Sequence, residues 1–145
     1  RLLRARSQSL ATLEWGSGGL LADWLSEADE ASTAYCGGIV VRNTKALAAT
    51  LREAVETSES LDESTLIGRA ARHIRDRFET DYALCLGAFP RPDSADTEPG
   101  DLHFALATPT EILVKAVPFA GHPDILKERA VKRALNSLRL TLLSR

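Results

Sequence analysis

The chain has no methionine, two cysteines and six prolines among its 145 residues, and each scarcity narrows the class of protein. With Cys36 and Cys85 alone there is no C-x-x-C ligand spacing, and no disulfide framework of the kind that staples small secreted domains. Both thiols lie in apolar, strand-like surroundings, where a free cysteine packs as a small hydrophobe; two buried thiols in a cytoplasmic protein are the expectation. No apolar run approaches the length of a membrane span, and no signal-peptide pattern opens the chain. An excess of one charge is missing too. The formal net charge is -2, and fourteen arginines and four lysines are spread along the chain instead of clustering, so nucleic acid is not an expected partner. A chain that opens on Arg1 without methionine leads to the expectation that residues precede it, with RLLRAR (1–6) as the tail of an incomplete helix.

What is present is ordinary for a folded domain. Hydrophobic residues make up 44% and charged residues 26%, and a chain of this length buries about two-thirds of the surface its unfolded form exposes. One domain over 1–145 is expected. Gln8 to Leu13 reads as a strand, ended by Gly16-Ser17-Gly18-Gly19, after which Leu20, Leu21, Trp24 and Leu25 recur at helical spacing. A glycine turn of this kind, opening a helix, aims backbone N–H groups at whatever binds there. Tyr35 to Arg42 reads as a second strand whose Gly37-Gly38 pair suggests a bulge or a close backbone approach. Asn43-Thr44 can cap a helix running from Lys45 to about Glu56. Ser60-Leu61-Asp62-Glu63 has the form of a capping box, with Glu63 reaching back to the cap N–H, followed by a helix whose face carries Ile67, Ala70, Ala71, Ile74 and Phe78.

Tyr82 to Ala88 is a near-continuous apolar run, as in a strand covered on both faces. The stretch from Phe89 to Gly100 must be a loop, and long loops often carry function. Leu102–Ala107 and Glu111–Phe119 flank Thr108-Pro109-Thr110 as a hairpin. A last helix from Asp124 buries Val131, Ala134, Leu135, Leu138 and Leu142. This alternation predicts an α/β protein, with helices on both sides of a mixed, mainly parallel sheet that has one antiparallel hairpin strand.

Chemistry is carried by few residues. Ser17 stands among glycines, but the G-x-S-x-G register of a nucleophile elbow is not met, and a helix N-cap is the plainer use of this serine. His73, His103 and His122 are isolated, without a triad or ligand signature. Lys45 could activate Ser17 if the two strands are neighbours, since a lysine kept neutral by burial can take a hydroxyl proton. Its plainer use is an exposed lysine at a helix start. Glu14 and Arg42 end the two strands on the edge where ligands bind in open α/β sheets. They could pair with each other, or Arg42 could hold a phosphate bidentately.

The segment Arg6 to Gly19 (RSQSLATLEWGSGG) resembles the opening motif of the CinA C-terminal domain family, a pattern close to R-G-x-T-(L/I)-A-T-A-E-S-C-T-G-G. Seventeen residues lie between Gly18-Gly19 and Gly37-Gly38, the family's spacing for its two glycine pairs. Tyr82-Ala83-Leu84 is similar to its D-Y-A-L strand and Lys127 to Leu135 to its final helix, so the resemblance covers essentially the whole chain. It implies a three-layer α/β/α sandwich and homo-oligomerisation. For stand-alone members it also implies nicotinamide mononucleotide deamidation by a serine nucleophile, helped by a tyrosine and a lysine after the second strand.

Carried over residue by residue, the resemblance places Trp15 at the nucleophile, Arg42 at the tyrosine and Leu47 at the lysine. Glu14, Gly18 and Gly19 match, and Ser17 replaces a threonine. Of the later T-G-x-A-G-P turn only Gly87 remains, with Phe89 adding bulk and Pro90 removing a donor. Losing the nucleophile of a serine-based unit costs on the order of 10⁶ in rate. The expectation is therefore a CinA-like domain without the deamidase reaction, with no cofactor and no metal, holding at most a remodelled site for a small nucleotide-like ligand or a protein. That site would comprise Glu14, Trp15, Ser17, Gly18, Gly19, Arg42, Thr44 and Gly87. The alternatives are an active amidohydrolase using a displaced Ser17/Lys45 pair, and an oligomerisation module whose old cleft, with Trp15 and Trp24, is an interaction surface.

Overall fold

The interior strand β1 (Leu10–Glu14) is buried along its whole length, and the alternation of its side chains divides the molecule. Leu10 belongs to the apolar cluster on one face of the sheet, Ala11 and Leu13 to the cluster on the other, as period-two geometry requires. The computed structural model describes residues 1–90, 100–119 and 123–145. Most of the expected 89–100 loop, and His122, lie outside the described residues.

In chain order the elements are α1 (Leu2–Ala5), β1, α2 (Leu20–Ala28), β2 (Tyr35–Val40), α3 (Thr44–Leu51), α4 (Val55–Ser60), α5 (Glu63–Phe78), β3 (Tyr82–Leu86), β4 (Asp101–Ala107), β5 (Ile112–Pro118) and α6 (Pro123–Leu143). The strands form one sheet of order β2-β1-β3-β4-β5. β1 pairs in parallel with β2 and β3, whereas β3–β4 and β4–β5 are antiparallel, so β4 alone runs against the rest. The mixed, mainly parallel sheet and the hairpin are as the sequence predicts.

Helices α1, α2 and α6 cover one face, packing on Leu10, Leu84, Leu86, Leu102, Phe104 and Leu106. The other face is small. Ala11, Ala83, Cys85, Ala105 and Ala107 lie beneath Ala70, Ala71 and Ile74 of α5, so the helix sits close to the sheet with little side-chain bulk between them. Three layers result.

Local chemistry departs from expectation at three places. The helix expected from Lys45 to Glu56 ends at Leu51, where Arg52 adopts φ +57° and its N–H, like that of Glu53, returns to the last carbonyls of α3. A left-handed C-cap is usually glycine, and Arg52 gave no such signal. The capping box shifts in register. Ser60 ends α4, its hydroxyl donating to the Thr57 carbonyl, while Asp62 caps α5 by accepting from the Thr65 N–H at 2.7 Å; that bond holds the Asp62 carboxyl below its usual range. Only one thiol is buried: Cys85 lies in the sheet and Cys36 is exposed. The reason is a bulge. β1 pairs Leu10 with Tyr35 and then Ala11 with Gly37, which leaves Cys36 as the extra residue.

Candidate functional site

Because β2 and β3 flank β1 on opposite sides, the chain changes direction across the sheet between β1 and β3. Ligand crevices of open α/β sheets form at this switch point, beyond the carboxyl ends of the strands. Here β1 continues past its last residue: the Trp15 N–H donates to the Leu86 carbonyl at 3.0 Å and the Gly16 N–H to Gly87 at 3.1 Å. Gly87 is pinned in turn by its own N–H to the His103 carbonyl at 2.8 Å.

Glu14 and Trp15 leave this strand end in opposite directions. Glu14 turns under the start of α2 and is 1% exposed. Its Oε1 accepts from the Ser17 hydroxyl at 2.7 Å and from the Gly19 and Leu21 N–H groups at 2.9 Å, and its Oε2 from the Ala22 N–H at 2.9 Å. A carboxylate inside the first turn of a helix is stabilised by those donors and by the helix dipole. The donors expected to face a ligand are thus satisfied from within. Gly18 (φ +62°) and Gly19 (φ +113°) bend the backbone over the carboxylate, and Gly19 takes the N-cap position expected of Ser17. Ser17 is also 1% exposed, and its hydroxyl donates to Glu14.

Trp15 turns to the α3/α5 face and forms a shared wall of two neighbouring clefts. The first, about 230 Å³, runs from Trp15, Gly87 and Ala88 to Leu47 of α3, Ser58 of α4, Glu63 of α5 and His103 of β4. The second, about 390 Å³, opens between Trp15, Gly16, Arg42, Asn43 and Phe89. Thr44, at the start of α3, lines both. Phe89 lies over Gly16, where any side chain at that position would meet its ring, and its ring packs on Phe119 at a centroid distance of 5.1 Å. The bulk expected of Phe89 therefore closes this end of the site.

The structure brings Trp15, Arg42, Leu47, Thr44 and Gly87 together around the clefts. It holds Glu14, Ser17 and the backbone of Gly19 beneath the turn. No ion pair joins Glu14 to Arg42 among the described residues, because the two lie on opposite sides of the turn. Lys45 is exposed, and no hydrogen bond connects it to Ser17, whose proton goes to Glu14. Trp24 is half-buried and packs in the α2/α6 cluster. His73 is half-buried on α5 and does not line the clefts.

His103, isolated in the sequence and given no role there, lines the first cleft. Its Nδ1 lies 2.8 Å from Glu63 Oε2, within ion-pair distance but off line for a hydrogen bond, so this buried nitrogen has no hydrogen-bond partner. Strand alternation held the signal: with Leu102, Phe104 and Leu106 facing α6, residue 103 must face α5. No group of described His, Cys, Asp or Glu residues could hold a metal ion. No helix among the described residues is long and apolar enough to cross a membrane.

Fold and site together define an α/β/α domain with two neighbouring clefts at the switch point of a mixed sheet. Its family follows from comparison with known proteins: residues 1–142 match the CinA C-terminal domain, and the chain belongs to that family. A CinA-like protein of Frankia casuarinae is 33% identical over 97% of this chain, and one of Geobacter sulfurreducens is 30% identical over 99%. The chain spans about a third of the length of these relatives, 33% and 36% respectively. Among solved structures, a competence or damage-inducible protein from Enterobacter asburiae superposes with a TM-score of 0.85 at 26% identity, covering 97% of this chain and 91% of its own. A CinA superfamily protein from Klebsiella pneumoniae reaches 0.86 at 24% identity over 100% of this chain and 93% of its own, which speaks to the fold alone.

Proposed function

We propose that this CinA-like domain does not carry out nicotinamide mononucleotide deamidation and keeps, in its clefts, a remodelled site for a small nucleotide-like ligand. The observation that carries this reading is Trp15. Its indole occupies the cleft wall at the position where the family resemblance places a nucleophilic hydroxyl, and Leu47 and Arg42 line the same clefts at the positions of the helper lysine and tyrosine. A nucleophile must be within hydrogen-bond reach of a base. Neither an indole nor an isobutyl group can fill either role.

The displaced Ser17/Lys45 pair draws no support from the geometry, since the serine is buried under Glu14 and the lysine points to solvent. An interface built on Trp24 draws none either, because that ring packs on α6 neighbours. Homo-oligomerisation comes with the family resemblance and a cytoplasmic location with the free cysteines; both belong to this proposal, the first measurable by light scattering on the purified chain.

The direct test is incubation of the protein with nicotinamide mononucleotide, following both ammonia and the carboxylate product. No turnover above the buffer blank is expected. Turnover at ~1 s⁻¹ or faster, the range of ordinary enzymes, overturns the reading. If Ser17→Ala then abolished that turnover with the fold intact, the displaced pair would be the reason.

A further inference from the structure

We infer that Arg42 and Lys127 form a two-cation clamp over Gly18 that takes the dianionic phosphate of a phosphomonoester, the remainder of the ligand lying along Trp15 in the second cleft. This inference rests on the reading of the clefts as a small-ligand site and adds the ligand's charge and the residues that select for it.

Elements far apart in sequence converge at this point. A methyl group placed on Gly18 would lie 3.6 Å from Arg42 Nη1 and 3.7 Å from Lys127 Nζ. The guanidinium from the β2–α3 connection and the ammonium from the first turns of α6 therefore stand over one residue of the glycine turn. Two like charges that border the same point repel each other, and an anion placed there is attracted to both. Both side chains are exposed, and among the described residues neither has a hydrogen bond or an ion pair. The carboxylate beneath the turn, Glu14, is sealed with four donors of its own, so it neither neutralises the pair nor meets an incoming anion.

The geometry also says which anion. The turn itself offers little: Glu14 accepts the Gly19, Leu21 and Ala22 N–H groups, and the Gly18 N–H closes the turn on the Trp15 carbonyl at 3.2 Å. Anion recognition thus falls to the side chains. A planar guanidinium beside a mobile ammonium suits a tetrahedral dianion, the fork holding oxygens in two directions and the lysine supplying a second charge. Arg42 also lines the second cleft, of about 390 Å³, together with Trp15 and Asn43. A group attached to the phosphate can extend from the clamp along the indole face.

The test measures binding by Trp15 fluorescence in a Trp24→Phe background, with isothermal titration as the check. The probes are adenosine 5′-monophosphate, nicotinamide mononucleotide, their parent nucleosides and inorganic phosphate. Each nucleotide is expected to bind about tenfold or more tightly than its nucleoside, the scale of one to two bonds to a charged group, and to weaken as salt rises. Arg42→Gln and Lys127→Gln should each remove most of that preference, while Lys132→Gln, further along α6, should leave it unchanged. If inorganic phosphate alone matches the nucleotides, the clamp holds and the cleft contribution falls. Equal binding of nucleotide and nucleoside, no binding by any probe, or singly substituted proteins that bind as the parent does, would overturn the clamp. Hydrolysis of nicotinamide mononucleotide would instead overturn the proposed function and leave the phosphate preference standing, so the two failures are distinct.

Discussion

The carboxylate of Glu14 is the cap of α2 and the keystone of the glycine turn, and Glu14→Gln tests this with little change of shape. Four donors meet it: one hydroxyl and three backbone N–H groups, at 2.7 to 2.9 Å. In the amide, the oxygen can retain the three donors now on Oε1, but the nitrogen then faces the Ala22 N–H, donor against donor. Losing one bond to a charged acceptor costs about 1.5–3 kcal/mol. The three remaining bonds weaken as the acceptor loses its charge. The site is 1% exposed, so solvent screening does not reduce these values. Together they give a loss of about 3 kcal/mol, a large part of the 5–15 kcal/mol that holds an ordinary domain folded.

Urea unfolding of the purified chain should show the midpoint falling by ~1–2 M at an unchanged slope, taking a slope of ~2 kcal/mol/M. Amide exchange should quicken at Gly19, Leu21 and Ala22 beyond the global change. Glu27→Gln, an exposed substitution on the same helix, supplies the control, expected within about 0.5 kcal/mol of the parent. A Glu14→Gln midpoint indistinguishable from that of Glu27→Gln would refute the assignment of the carboxylate as cap.

Asp29 accepts the Ala34 and Tyr35 N–H groups at 2.8 and 2.7 Å, with the Tyr35 bond the main reason its carboxyl sits well below the ordinary 3.8. A carboxyl depressed in the folded state stabilises above its unfolded pKa and loses that contribution as pH falls through the folded one. The melting temperature of the parent should therefore exceed that of Asp29→Asn at pH 6–7, with the gap closing below about pH 4; a gap independent of pH would contradict it. Under native conditions Ellman's reagent should titrate one thiol per chain, the exposed Cys36, and reach Cys85 only in denaturant, because burial pushes the Cys85 thiol well above its usual pKa. Gly87→Ala sets a methyl 2.8 Å from the His103 carbonyl oxygen, a backbone atom that cannot rotate away, so a loss of about 1–3 kcal/mol is expected, read as a lower melting temperature.

The fold was legible because the strong signals were local and periodic. The run Tyr82 to Leu86 is buried throughout, as an unbroken apolar strand must be, and the small and branched residues of α5 sit on the face their spacing assigned. Two errors arose where local chemistry offered equivalent choices. Ser60 and Asp62 are both good N-caps, and only the end of α4 decides between them. Arg52 takes a backbone conformation that favours glycine, and Glu53 helps hold the corner by accepting from the Ser58 hydroxyl at 2.7 Å and pairing with Arg69. The site was legible only in part. Trp15, Arg42 and Leu47 all line the clefts, but the approach of Arg42 and Lys127 to Gly18 joins the β2–α3 connection to α6, more than eighty residues apart in the chain, and no local pattern announces it.

One distinction explains why a chain can match its family's opening motif and depart from it within the same few residues. Glu14, Gly18 and Gly19 match, and all three build the glycine turn: the buried carboxylate takes the amides of α2, and the glycines bend the backbone over it. Trp15, Arg42 and Leu47 depart, and all three face the clefts. Neighbouring residues of a strand point to opposite faces, so Glu14 answers to the stability of the α2 start, whereas Trp15 answers to the edge of the α5-side cluster and to what occupies the cleft. Changing the first leaves buried amides without partners. Changing the second alters a concave surface while every backbone hydrogen bond of β1 stays in place. The scaffold therefore constrains half of this motif by folding alone, and the resemblance that identifies the family rests on that half.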